Sequence, residues 1–277
     1  MTTVVERALR VSEAMLALGN EVFKTADATF VRNRETPNVW DSNHVMGVRA
    51  STAEAIQRLL ARTKREYEGM DSLSFHVDHR TPPQFEARLV HEGFVHNDLL
   101  VMLLEEDLRG TQREHEIRAV KGKKDWKALD ALHVLDAAEY KTKKDEVETY
   151  PVREMARSRR LKSPPLRYWQ AWLDGEPRSY LLSWEGVDGV GQVEDLFTHP
   201  EFRHRGLATA LIWHCVADCR AHGAGPVAIV ADASDTPKEM YAAMGFRPVA
   251  VKRTYRRKLP WAEAEQSQAE ALTPKKH

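Results

Sequence analysis

Two stretches of the chain repeat one order of features. "SFHVDHRTPPQFEARLVHEGF" occupies residues 74–94, and "AIVADASDTPKEMYAAMGF" occupies 228–246. Each reads as an apolar strand, a Thr-Pro pair that opens a short helix, and a closing Gly-Phe, at Gly93-Phe94 and Gly245-Phe246. A longer helical pattern precedes each: "STAEAIQRLLARTKREYEGM" with a Ser/Thr cap, and "GLATALIWHCVADCRAHG" closed by Gly223. Alternation of this kind builds mixed α/β layers. Its recurrence predicts an internal duplication with one diverged copy.

The rest of the chain fits that frame. "MTTVVERALRVSEAMLALG" has glutamates inside its apolar pattern, so it reads as an amphipathic helix and not a signal peptide. "DLLVMLLEE" closes the first half as a buried strand, and the mixed-charge "EDLRGTQREHE" reads as a linker. "EIRAV" then predicts a strand, and "KDWKALDALHVLDAAEY" and "YPVREMARSRRLK" predict helices. "LRYWQAWLDG" and "PRSYLLSWEG" form a hairpin across Asp174-Gly175. "GVDGVG" looks like a dinucleotide fingerprint, but it opens no helix, so Asp188-Gly189 is a second hairpin turn. The expected division is 1–110, 111–260 and a polar tail from 261 to 277.

The 277 residues carry 41 basic and 41 acidic side chains, which gives no broad electrostatic reason to bind nucleic acid or membrane. No window approaches the roughly 18 apolar residues of a membrane span. Cys215 and Cys219 lie one helical turn apart, a spacing that suits neither a disulfide nor a CxxC site, and a reducing cytoplasm is expected. The clusters His76-Asp78-His79 and Cys215-Cys219-His222 read as packing and surface, not metal ligands.

One short stretch carries chemistry. In "RHRGLATAL", residues 203–211, a helix begins behind Arg203, Arg205 and Gly206. A helix N-terminus exposes unpaired N–H groups and partial positive charge, so it suits a phosphate. Gly206 has no side chain to block close approach, and Ala208 keeps the next turn clear. A pyrophosphate is the natural guest.

The neighbouring residues resemble the GNAT superfamily of acetyl-CoA-dependent N-acetyltransferases, whose signature R/Q-x-x-G-x-G/A follows a strand reading hydrophobic-x-V-x-P. "LFTHPEFRHRGLA" supplies Leu196, Thr198, Pro200, Arg203, Gly206 and Ala208 at matching positions. A second signature, N-x-x-A-x-x-x-Y-x-x-x-G-F, is met in spacing by Ser234, Pro237, Tyr241, Gly245 and Phe246. The resemblance covers about 114–258, and the first half looks like a degenerate copy, as in tandem members of the family. Thr198, Ser234 and Pro237 depart from the pattern, and the change at Ser234 puts a side-chain contact to the pantetheine arm in doubt.

The resemblance implies two tandem GNAT-like domains, each a mixed, mostly antiparallel sheet flanked by helices. It implies that Leu196, Phe197 and Thr198 offer backbone groups to pantetheine on a splayed strand. The amides of Arg203, His204, Arg205, Gly206, Leu207, Ala208 and Thr209 would hold the pyrophosphate. Tyr241 would protonate the leaving thiolate. Glu194, two positions before Leu196 and so expected on the same strand face, is the chosen base, with Asp195 and a water relay as alternatives. The first half has "RASTAEAI" where the loop should stand and Leu89 at the tyrosine position, so it is expected to be inactive. The implied activity is acetyl transfer from acetyl-CoA to a primary amine of a small molecule by direct attack, without a metal. A homodimer is compatible with the sequence. The alternatives are a protein or peptide amine acceptor, or a non-catalytic acyl-CoA sensor.

Overall fold

A computed structural model describes residues 2–144 and 151–259, with side chains of 140–144 excepted. In chain order the helices are α1 (Val4–Ala17), α2 (Ala53–Glu66), α3 (Pro83–His91), α4 (Lys123–Lys144), α5 (Val152–Leu161), α6 (Leu207–Ala221) and α7 (Pro237–Ala243). The strands are β1 (Glu21–Lys24), β2 (Thr29–Arg32), β3 (His44–Met46), β4 (Ser72–Val77), β5 (Val95–Leu104) and β6 (Glu116–Ala119). They continue with β7 (Arg167–Leu173), β8 (Glu176–Val187), β9 (Val190–Thr198), β10 (Val227–Asp232) and β11 (Arg247–Lys258). The expected tail, 261–277, lies outside the described residues.

The chain forms two compact units. One joins the residues up to Leu18 with Leu100–Ala250, and the other joins Gly19–Leu99 with the residues from Val251 onward. A sequential break at residue 110 does not describe them. The reason is long-range pairing: Arg253–Lys258 of β11 run antiparallel to Ser72–Val77 of β4, and α1 packs with β8 of the larger unit. The segment 106–116, expected to be a linker, is also part of the larger unit, with Leu108 buried in its core.

In the larger unit the strand order is β5-β10-β9-β8-β7-β6. β6–β7, β7–β8 and β8–β9 are antiparallel, whereas β9 and β10, joined by α6, run parallel. The two Asp-Gly turns are as expected: Asp174-Gly175 and Asp188-Gly189 all have positive φ, the conformation that lets a two-residue turn follow the strand twist. Period-two alternation divides the strands between two cores. Met102, Leu104, Leu181 and Val193 pack with α6 and α7, whereas Val101, Leu103, Tyr180 and Leu182 pack with α1 and α4. Each such side chain contributes on the order of 1.5–3 kcal/mol by leaving water. Gly191 brings α6 close, since a Cβ there would meet the Cβ atoms of Ala224 at 2.9 Å and Cys219 at 3.0 Å.

The smaller unit has the order β1-β2-β3-β4-β11. β3 and β4, joined by α2, run parallel, and β1–β2, β2–β3 and β4–β11 are antiparallel. Helix α2 buries Ile56, Leu59, Leu60 and Thr63, an i, i+3, i+4, i+7 stripe, against Phe30, Phe75 and Tyr67. Each unit is thus a mixed, mostly antiparallel sheet flanked by helices. No helix among the described residues is long and apolar enough to cross a membrane.

Candidate active site

The start of α6 faces a cleft of about 900 Å³ in the larger unit. Gly206 is the N-cap with φ +84°, a left-handed conformation that strains any residue with a Cβ, and no side chain caps the helix. His204 is also left-handed, at φ +60°. Alternation of this kind turns successive N–H groups inward and makes an anion-binding concavity. All residues from Arg203 to Thr209 line the cleft, as do Leu196, Phe197 and Thr198. The first-turn amides of α6 therefore open onto space a phosphate group could fill.

The loop is braced from a segment that gave no sequence signal. His115 Nε2 lies 2.9 Å from the carbonyl oxygen of Arg205, and a Cβ on Gly206 would meet Arg113 Cγ at 2.9 Å. Arg113 lines the cleft and adds a cation beside the helix terminus. Arg203 is differently engaged. Its guanidinium donates to the Thr198 carbonyl at 3.1 Å and pairs with Glu139 of α4.

Strand β9 separates from β10 as it nears the cleft. Ladder partners are Gly191 with Val227 and Gln192 with Ala228, and beyond them the Glu194 carboxylate accepts from the Val230 amide at 3.3 Å. It also accepts from Gln192 Nε2 at 3.0 Å. Burial, followed by repulsion from Asp195, raises the Glu194 carboxyl to about 7.

Glu194 does not share a strand face with Leu196. A bulge in β9 carries Asp195 at φ +66°, and the register against β8 steps from Leu182 opposite Glu194 to Tyr180 opposite Phe197. The extra residue reverses the alternation. Leu196 consequently packs on the α6 side, while Phe197 joins Tyr180 and Leu182 on the α4 side. Asp195, the alternative base, turns to the α4 side and accepts from Arg159 Nε at 3.0 Å. That guanidinium keeps its carboxyl below the usual range against the cost of burial.

Tyr241 lines the cleft and is 5 % exposed. Burial, then the charges of Glu194 and Asp235, push its phenol up, so it holds its proton at neutral pH. Ser234 is outside the lining. Its hydroxyl and amide both donate to Asp232 Oδ1, at 2.6 and 2.8 Å, and the N-cap of α7 is Thr236.

Sequence reasoning also missed a polar group on the opposite wall. Asp136 of α4 lines the cleft and accepts from the Tyr180 hydroxyl at 2.9 Å. The same hydroxyl lies 2.7 Å from His133 Nδ1, and His133 Nε2 is 3.7 Å from Asp195 Oδ2. Asp136 and His133 are i, i+3 on α4, a spacing that places both on one helix face, and that was the only available signal. His133, Asp136 and Asp195 offer donor atoms within 4.8 Å of one another, yet the Arg159 guanidinium already supplies the positive charge there.

The family model for Acetyltransferase (GNAT) matches residues 129–246. No curated protein is a significant sequence match. Among solved structures, a conserved protein of unknown function from Staphylococcus epidermidis is similar at TM-score 0.66 and 17 % identity, over 87 % of this chain and 94 % of that one. A GCN5-related N-acetyltransferase from Kribbella flavida matches at 0.64 and 18 %, over 94 % and 96 %. A tandem GNAT protein from the clavulanic acid biosynthesis pathway matches at 0.54 and 14 %, over 76 % and 71 %. At these identities the likeness to solved structures is one of fold. Residues 129–246 are therefore an acyltransferase domain of the GNAT acetyltransferase family.

Proposed function

We propose that the chain transfers an acetyl group from acetyl-CoA to a primary amine of a small molecule by direct attack. The observation that carries this reading is the uncapped start of α6, which opens into the same cleft as Tyr241. The α6 amides and Arg113 would hold the pyrophosphate, and backbone groups of Leu196–Thr198 would pair with pantetheine beside the parting of β9 and β10. The attacking nitrogen forms a C–N bond to the thioester carbonyl, and the C–S bond breaks. Glu194, with a carboxyl near neutrality but outside the cleft lining, takes a proton from the nitrogen through a water. Tyr241 gives one to the departing thiolate and is restored from Glu194.

The smaller unit acts in this reading as a non-catalytic copy, because α2 closes its own N-terminus with Thr52. A cytoplasmic setting fits the two unpaired, buried thiols of Cys215 and Cys219. Calorimetric titration with acetyl-CoA and CoA, on wild type and Tyr241→Phe, tests the proposal. Micromolar binding by both proteins, with turnover slowed only in the variant, is the expected result. Binding without CoA release from any amine would make the protein a sensor. Absence of binding would remove the site.

A further inference from the structure

An acceptor that arrives as an ammonium must lose two protons to become an amide. One ends on the CoA thiol, by way of Glu194 and Tyr241 in the reading above. The other needs a separate acceptor, before attack, because only the neutral amine is nucleophilic. We propose that Asp136 receives the acceptor's ammonium group and takes its first proton, with Tyr180 and His133 as the positioning pair that accommodates it. This rests on the acyl-transfer reading of the cleft.

The geometry supports the role in three ways. Asp136 is on the cleft wall, and Glu139 one turn further along α4 is paired with Arg203, so an ammonium entering here meets the Asp136 carboxylate. Behind Asp136, Tyr180 has one hydroxyl proton and two partners within 2.9 Å. Finally, His133 is 3 % exposed and its Nε2 has no hydrogen-bond partner.

Counting protons in this cluster gives two states. With Asp136 ionised, Tyr180 donates to Asp136, His133 Nδ1–H donates to the Tyr180 oxygen, and the bare Nε2 faces the Asp195 carboxylate. With Asp136 protonated, Asp136 donates to Tyr180, Tyr180 donates to Nδ1, and an Nε2–H faces Asp195. Proton uptake by Asp136 is thus coupled to a change of imidazole tautomer that relieves an unfavourable contact.

The surrounding charges fit a neutral imidazole. Burial holds His133 down at about 3, against attraction from Asp195 and with repulsion from Arg159 and Arg160. Asp136 is raised to about 6 by burial, then by Asp195, with Glu139 adding to the rise and the Tyr180 hydrogen bond and Arg159 opposing it. Tyr168 of β7 faces the same Arg159–Asp195 pair and stays protonated.

The experiment is ¹⁵N NMR of the full chain labelled at histidine, with His133 assigned by its loss in His133→Gln. Spectra would be recorded from about pH 5 to about pH 8, with and without n-butylammonium as the probe. The Nε2–H form is expected at low pH and the Nδ1–H form at high pH, with a midpoint near 6. n-Butylammonium should lower that midpoint, because it stabilises ionised Asp136. Asp136→Asn and Tyr180→Phe should each abolish the transition. A single tautomer throughout, or the same transition in either variant, would overturn the relay. A midpoint that n-butylammonium leaves unmoved would overturn the docking role. Acetyl-CoA titration of the same samples separates the two readings: lost binding in wild type sinks the acyl-transfer site, whereas intact binding with a fixed tautomer sinks only this inference.

Discussion

The crossover β9–α6–β10 and the crossover β3–α2–β4 have the same parts in the same order, and each is followed by a short helix and a Gly-Phe pair. They differ where the long helix begins. Thr52 adopts an extended conformation and its hydroxyl accepts from the Ala55 amide at 3.3 Å, so α2 supplies its own cap. Gly206 is left-handed and has no side chain, so the amides of α6 stay open to the cleft. Four residues before the closing glycine, Leu89 is fully buried, while Tyr241, also buried, lines the cleft. A helix terminus can be closed by its own residue or kept for a ligand, and one side chain decides which.

Exchanging those features should break the comparison unequally. The largest effect is expected at the position four before Gly-Phe. Tyr241→Phe should lower kcat by about 10²–10⁴ with acetyl-CoA affinity retained, measured by CoA release. Leu89→Ala should instead destabilise by about 2–5 kcal/mol in a denaturant titration and leave that affinity unchanged.

Next comes the helix start. Gly206→Glu puts a Cβ against Arg113, strains φ and adds an anion, and should weaken acetyl-CoA binding by about 100-fold or more, about 2.7 kcal/mol by calorimetry. A carboxylate at the matching N-cap of α2, as in Thr52→Glu, should leave it unchanged.

The pH dependence sharpens the role of Glu194. A base must be ionised to act, and this carboxyl is raised to about 7, so kcat/KM should rise with pH and level off above that value. Below it the fall should approach about tenfold per unit. Glu194→Gln should flatten that step, and a profile identical to wild type would remove Glu194 from the mechanism.

The smallest effect belongs to the closed helix. Thr52→Ala should cost about 1 kcal/mol of stability without altering acetyl-CoA binding. A loss of binding there would mean that the two crossovers are not energetically separate.

Local chemistry was legible in the residues themselves. Helical stripes, the Asp174-Gly175 and Asp188-Gly189 turns, and the uncapped glycine at 206 each depend on a few neighbours, so the pattern of side chains determines them. The site's phosphate end was therefore readable from "RHRGLATAL". Its chemical end was not. Asp195 at φ +66° inserts a bulge that moves Leu196 off the face of Glu194, and a strict alternation has no means of showing it. Asp136 and His133 meet Tyr180 only because α4 packs on β8, and Arg113 reaches Gly206 only because the segment 106–116 folds onto the larger unit. The pairing of β11 with β4 likewise joins residues far apart in the chain, against a division at residue 110. Such contacts are selected by the whole packing arrangement, through burial summed over many side chains, so only the tertiary structure decides which distant groups share a cleft.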